Sequence, residues 1–130
     1  MKIEMFKEAP ILLIRLGLGF VFFWFGIDKF IHPALWIGWI PQYVLSLIPI
    51  FPGIFIFLLG VIETILGALL LLGVIVRLVA LISAIHLLAI IFSLGFNDIV
   101  VRDIGLLAMA LSLAVQKKHI FCLDNYLRKK

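Results

Sequence analysis

The chain has 130 residues, of which 65% are hydrophobic and only 14% charged, with a formal net charge of +4. A water-soluble domain of that size cannot enclose so much apolar surface, because its surface-to-volume ratio is too high, so most side chains must face lipid. The basic surplus sits at the ends of apolar runs and forms no stripe that could track phosphates, which excludes nucleic acid as a partner and leaves the bilayer.

Lys2, Lys7 and Pro10 precede the first apolar run, which lasts to Ile31. A signal peptide starts in a similar way, but this run exceeds a signal core of about 7–15 residues and no small-x-small cleavage site follows it. Residues 10–31 are therefore predicted as a retained spanning helix. Residues 32–52 are apolar too, yet Pro33, Pro41, Pro49 and Pro52 break them too often for a crossing of about 20 residues. Trp36, Trp39 and Tyr43 recur at near-helical spacing, as in a short helix lying at headgroup level. This outer-face segment reads as an interfacial anchor, with a lid over a ligand as the competing reading.

A second span is predicted over residues 53–76, interrupted only by Glu63 and Thr64, with Arg77 marking a very tight cytoplasmic turn. The third covers 78–96, with His86 near its middle, and Gly95-Phe96-Asn97-Asp98 turns the chain. The apolar stretch Ile104–Val115 is too short to cross hydrocarbon alone. Counting back about 20 residues from Gln116 places the fourth span at 98–116. Arg102 and Asp103 then lie inside it, roughly 8 Å below its outer end, and burial in the bundle is expected for both.

The tail, 117–130, reads as a cytoplasmic helix end in water or on lipid headgroups, with Cys122 as an ordinary reduced thiol. One cysteine allows neither an internal disulfide nor Cys-x-x-Cys redox chemistry. The predicted fold is all-α: one domain, a four-transmembrane-helix antiparallel bundle with an apolar interfacial segment between helices 1 and 2. Lys2, Lys7, Arg77, Lys117, Lys118, Arg128, Lys129 and Lys130 fall on one side, against Lys29 and the shallow Arg102 on the other. The positive-inside rule therefore puts the N- and C-termini in the cytoplasm, in a multi-pass protein of the plasma membrane.

Each span carries an ionisable group that lipid penalises by a few kcal/mol. Glu63 and His86 both lie roughly 15 Å from the outer ends of their helices, at a depth where they can hydrogen-bond. Lys29, Arg102 and Asp103 are shallower but in the same half, with Asp28 and Asn97 at the rim. Arg15 lies nearer the cytoplasmic face, where it snorkels inward or reaches up toward Glu63. At 100° per residue, Arg15, Gly19, Phe22, Gly26 and Lys29 share a face. So do Gly60, Glu63 and Gly67, and likewise Ser83, His86, Ile90 and Ser93. Small residues beside polar ones let membrane helices approach and bond.

The candidate pocket is thus Lys29, Glu63, His86, Arg102 and Asp103, with Arg15, Asp28 and Asn97 as secondary members. Such a cluster either locks helices together or forms a site, and residue types alone leave both open. Ser83, Ser93 and Thr64 are expected to bond back to their own helices. One histidine within a span excludes bis-histidine haem in a single chain, and no residue set has metal-ligand spacing. No phosphate loop or nicotinamide fold is present. No cofactor is identifiable in the chain, so electrons would have to arrive with a partner or a diffusible quinone.

Arg15-Leu16-x-Leu18-Gly19, Gly26-x-x-Lys29, Glu63-x-x-x-Gly67, Gly73, Arg77 and Arg102-Asp103 ahead of an Ala/Leu-rich helix together resemble the DoxX family of small four-helix membrane proteins. The resemblance covers about residues 10–116. It implies quinone-linked oxidation, since name-giving members are subunits of an archaeal thiosulfate:quinone oxidoreductase. The segments of those larger subunits are lacking here. The expectation is a quinone- or lipid-interacting subunit of a membrane redox complex, working with a redox-protein partner. A non-catalytic lipid-binding or assembly module and an oligomeric ion or proton pathway, the latter in a homo-oligomer, are the alternatives.

Overall fold

The structure is a computed structural model that describes residues 2–128. Its helices are α1 (Lys2–Ile31), α2 (Pro33–Trp39), α3 (Gln42–Leu47), α4 (Pro52–Leu72), α5 (Val76–Leu94), α6 (Asp98–Val115) and α7 (Leu123–Leu127), with no strand among the described residues. Three stretches, Met5–Ile31, Pro52–Leu72 and Val76–Leu94, are long and apolar enough to cross a membrane. Helix α6 has 18 residues and carries Asp98, Arg102 and Asp103 among them.

The distribution of side chains is inverted relative to a water-soluble protein. Leu13, Trp24, Phe57, Ile85 and Phe92 are exposed, whereas Arg15, Lys29, Glu63 and Asp103 are buried. Water-soluble monomers rarely expose contiguous apolar surface of more than a few hundred Å². Lipid is the solvent that makes this arrangement stable, because it accepts the apolar exterior and drives charged groups to pair inside.

The helices pack chiefly as two pairs, α1 with α4 and α5 with α6, joined by lesser contacts of α1 with α6 and α4 with α5. The α1–α4 seam is antiparallel and built on glycine. A side chain at Gly67 would strike the backbone of Phe23 and Gly19, and one at Gly26 would strike Thr64 and the Gly60 carbonyl. Close backbone approach brings side chains within reach across the seam.

Helix boundaries follow local chemistry. Helix α1 extends beyond the predicted span 10–31, beginning at Lys2 with Pro10 inside it. Proline forfeits one backbone hydrogen bond, and the surrounding Met, Lys, Glu and Ala favour helix strongly enough to continue through it. Helix α4 stops at Gly73, whose φ of 73° and amide bonds to Leu69 and Leu70 form a left-handed cap; the Val74 amide also returns to Leu69. The tight turn is therefore residues 73–75, and Arg77 lies in the first turn of α5 rather than in the turn itself. Helix α6 is capped by Asn97, whose Oδ1 accepts the Val100 amide at 3.0 Å.

Most of the described tail is exposed, in line with the expected contact with water or headgroups, but residues 120–122 dock on the bundle. Arg15, only 2% exposed, donates from Nη1 to the Ile120 carbonyl and Cys122 Sγ, and from Nη2 to the Phe121 carbonyl. Arg15 thus neither reaches Glu63 nor extends freely to the surface. It pins residues 120–122 against the end of the bundle, where Gly73 leaves room for the Cys122 backbone. The Cys122 thiol is buried, and burial pushes its pKa up, an effect that Arg15 partly opposes. Hydrogen bonds to a charged group contribute about 1.5–3 kcal/mol, so Arg15→Leu should release the tail and speed maleimide labelling of Cys122 by about tenfold or more. Unchanged labelling would show that the tail docks without Arg15.

Candidate functional site

Glu63 lies near the middle of α4 and both of its oxygens are occupied. Oε2 accepts from Lys29 Nζ of α1 at 2.6 Å, and Oε1 meets His86 Nε2 of α5 at 2.8 Å. Three helices are thereby tied at one carboxylate. A Lys–Glu pair this deep survives loss of water only when its remaining hydrogen-bonding capacity is used. Lys29 uses its own on the Phe25 carbonyl at 3.4 Å and on the face of Trp36, whose ring centre lies 3.7 Å from Nζ.

Arg102 and Asp103 form the second charged pair. Arg102 donates from Nε and Nη2 to Asp103 Oδ1 at 2.9 and 2.7 Å, while its guanidinium stacks 4.4 Å from the Phe25 ring centre. Asp103 is 1% exposed, and its second oxygen, Oδ2, has no partner among the described residues. An acceptor left bare inside a protein costs its full desolvation, about 1–3 kcal/mol.

The two pairs border a cavity of about 160 Å³ between the helices. All five expected residues, Lys29, Glu63, His86, Arg102 and Asp103, line it, and the rest of its wall is mostly apolar, including Phe22, Phe25, Ile56, Leu87 and Leu106. The secondary residues are elsewhere. Arg15 lies near the middle of α1 and bonds to residues 120–122 of the tail. Asp28 accepts Trp36 Nε1 and pairs with His32 Nδ1, both at 2.8 Å. Asn97 caps α6.

The segment 32–52 is two short helices, α2 and α3, not one. Trp36, Ile40 and Val44 are partly buried on the cavity wall, Trp39 borders it while half exposed, and Leu35, Tyr43 and Leu47 are exposed. The Tyr43 hydroxyl reaches across to the Ser93 carbonyl of α5. Sequence reasoning did not single out Phe25 and Trp36 as the aromatic platforms beneath the two cations. Phe22, Phe25 and Lys29 recur with helical spacing, a signal that could have identified Phe25. Trp36 could not be placed without knowing that the chain folds back at Pro33.

Thr64 and Ser93 bond back to the Gly60 and Ala89 carbonyls, as their residue types suggest. Ser83 does not: it is fully buried and its hydroxyl has no partner among the described residues. Also among the described residues, no three His, Cys, Asp or Glu side chains come together to hold a metal ion. The available chemistry is that of paired charges, one histidine and a bare carboxylate oxygen beside aromatic rings.

An all-helical membrane protein whose ionisable residues converge on an apolar cavity between the helices is the class that this fold and geometry define. Over residues 11–95 the chain matches DoxX, and it belongs to the DoxX family. The matched stretch contains Arg15, Lys29, Glu63 and His86 and ends before Arg102 and Asp103. No curated protein and no solved structure matches the chain.

Proposed function

We propose that the protein binds the ring of a quinone, or of a similar single-ring amphiphile, as a subunit of a membrane redox complex. In this reading α1, α4, α5 and α6 form an antiparallel bundle of four crossings in the plasma membrane, with both termini cytoplasmic. The count of basic residues at the two ends supports that orientation. Crossing by the short α6 is supported by burial of Asp103 against the other helices, which removes its charge from lipid.

The observation that carries the reading is Asp103 Oδ2, a buried acceptor without a donor on the wall of an apolar cavity. A hydroxyl of the reduced quinol form supplies that donor, and the Arg102 guanidinium beside it suits a carbonyl oxygen of the oxidised quinone. Size agrees: a cavity of about 150 Å³ takes a benzene-sized molecule, so one ring fits and a fused sterol skeleton does not. The chain's own residues bind and orient the ring, and a redox-protein partner carries the electrons. A binding module without turnover is the second reading. It is favoured by Glu63, whose two oxygens are both already held by Lys29 and His86.

Trp36 and Trp39 line the cavity, so a short-chain quinone should quench tryptophan fluorescence saturably in the purified protein. Loss of a charged acceptor should weaken the corresponding quinol about tenfold to a hundredfold in Asp103→Asn. Linear, unsaturable quenching together with a solvent extract containing no ring compound would remove the proposal.

A further inference from the structure

A second cavity, of about 620 Å³, lies at the opposite end of the helices, where α4 turns into α5. Arg77, Lys117, Lys118 and Arg128 line it, against the carboxylates of Glu8 and Asp124. Asp124 is already engaged, because its Oδ2 accepts the Ile75 amide at 2.6 Å. Arg77 gives its Nε to the Ala114 carbonyl at 3.3 Å, which holds it at the edge of the pocket. Fixed positive charge therefore exceeds negative charge here, in a concave site assembled from α1, the start of α5 and the docked tail.

Two further observations point to an anion. Helix α5 receives no cap from its own N-cap residue, Ile75, and although Asp124 takes the Ile75 amide, the first turn beyond it, Val76, Arg77 and Leu78, forms part of the pocket wall at the positive end of a 19-residue helix. His119, also on the wall, has both ring nitrogens buried without a partner among the described residues. A neutral imidazole always has one N–H to donate, and none of the described residues receives it.

We propose that this pocket binds a phosphate group, presented by an anionic phospholipid headgroup or as free phosphate. The His119 ring and the first-turn amides of α5 donate to its oxygens, and Arg77 and Lys118 balance its charge. Burial, followed by the guanidiniums of Arg15 and Arg77, holds the His119 pKa below its ordinary value, with Glu8 opposing. A bound phosphate reverses that environment and draws the ring toward protonation. The site is independent of the ring-binding cavity, so either can fail without the other.

The test uses the full chain reconstituted in vesicles of equal phosphatidylglycerol and phosphatidylcholine, then released in mild detergent for native mass spectrometry. Phosphatidylglycerol should remain bound in preference to phosphatidylcholine. At about 1 kcal/mol per basic residue near an anionic surface, Lys118→Gln should cut that preference about fivefold. Lys7→Gln removes the same charge outside the pocket and should leave it unchanged. In parallel, inorganic phosphate is titrated against lipid-free protein while the His119 ring resonance is followed by NMR. Lipid preference with a saturable His119 shift supports a headgroup ligand, and a shift without lipid preference supports free phosphate. Neither response, or equal loss in Lys7→Gln and Lys118→Gln, overturns the proposal.

Discussion

Glu63→Ala is expected to be the most damaging single change in the protein. It leaves the Lys29 ammonium, 5% exposed, without its anion and takes the acceptor from His86 in the same step. Removing one partner of a buried ion pair costs about 3–5 kcal/mol, because the stranded charge keeps its desolvation penalty. Thermal unfolding in detergent, followed by tryptophan fluorescence, should shift down sharply. The combined Lys29→Met, Glu63→Leu, His86→Leu variant should recover most of that loss, since replacing a whole buried polar cluster by apolar side chains of similar volume is often neutral. The triple variant also separates a lock from a site. If the cluster only fastens helices, the restored protein keeps all of its function; if it shapes the ring pocket, stability returns and quinone-dependent quenching does not. A Glu63→Ala protein that melts like the unaltered chain would mean that the cluster carries little of the fold's stability.

Gly67→Ala should be nearly as severe, for a steric reason. The added carbon would lie 2.7 Å from both the Gly19 carbonyl oxygen and the Phe23 Cα, and closer still to the Phe23 amide nitrogen. These are backbone atoms of α1, which cannot rotate away as a side chain can, so the two helices must separate. Overpacking of this kind costs about 1–3 kcal/mol. The displacement also strains the 2.6 Å contact between Lys29 and Glu63, which bridges the same two helices. Gly105→Ala provides the control: nothing lies within 4 Å of the position, and its stability against melting should stay level or rise by up to about 1 kcal/mol, because Ala favours a helix interior over Gly. Equal melting of the two variants would refute the close-packed glycine seam.

These two predictions rest on features with different visibility in the sequence. Solvation by lipid, the α-helical class and the approximate positions of the long helices follow from composition and from the length of apolar runs, because a bilayer imposes its thickness on the chain. Convergence of Lys29, Glu63 and His86 was legible for the same reason. Glu63 and His86 lie at equal depth and Lys29 lies shallower in the same half, and ionisable groups so placed in lipid are driven to meet one another. Helical periodicity also placed Gly60, Glu63 and Gly67 on one face before any contact was known.

What escaped prediction depends on how separate segments fold back. Arg15 could have turned either way along α1, and only the docked residues 120–122 show that three acceptors wait for it at one end. The tail looked solvated because its charges are dense, yet Cys122 is buried beneath them through contacts more than a hundred residues apart in sequence. Trp36 covers Lys29 because α2 folds back at Pro33, a direction set by packing and not by any local preference. The bare oxygen of Asp103 and the bare ring of His119 are likewise invisible in a list of residues, since having no partner is a property of everything nearby. Sequence by itself determined the solvent, the long helices and the burial of Glu63 and Asp103, whereas Arg102, expected to be buried with Asp103, keeps its side chain 35% exposed. Tertiary structure alone decided which of those charges are satisfied and which remain open, because satisfaction depends on atoms within about 3 Å and residue spacing does not specify distance between helices.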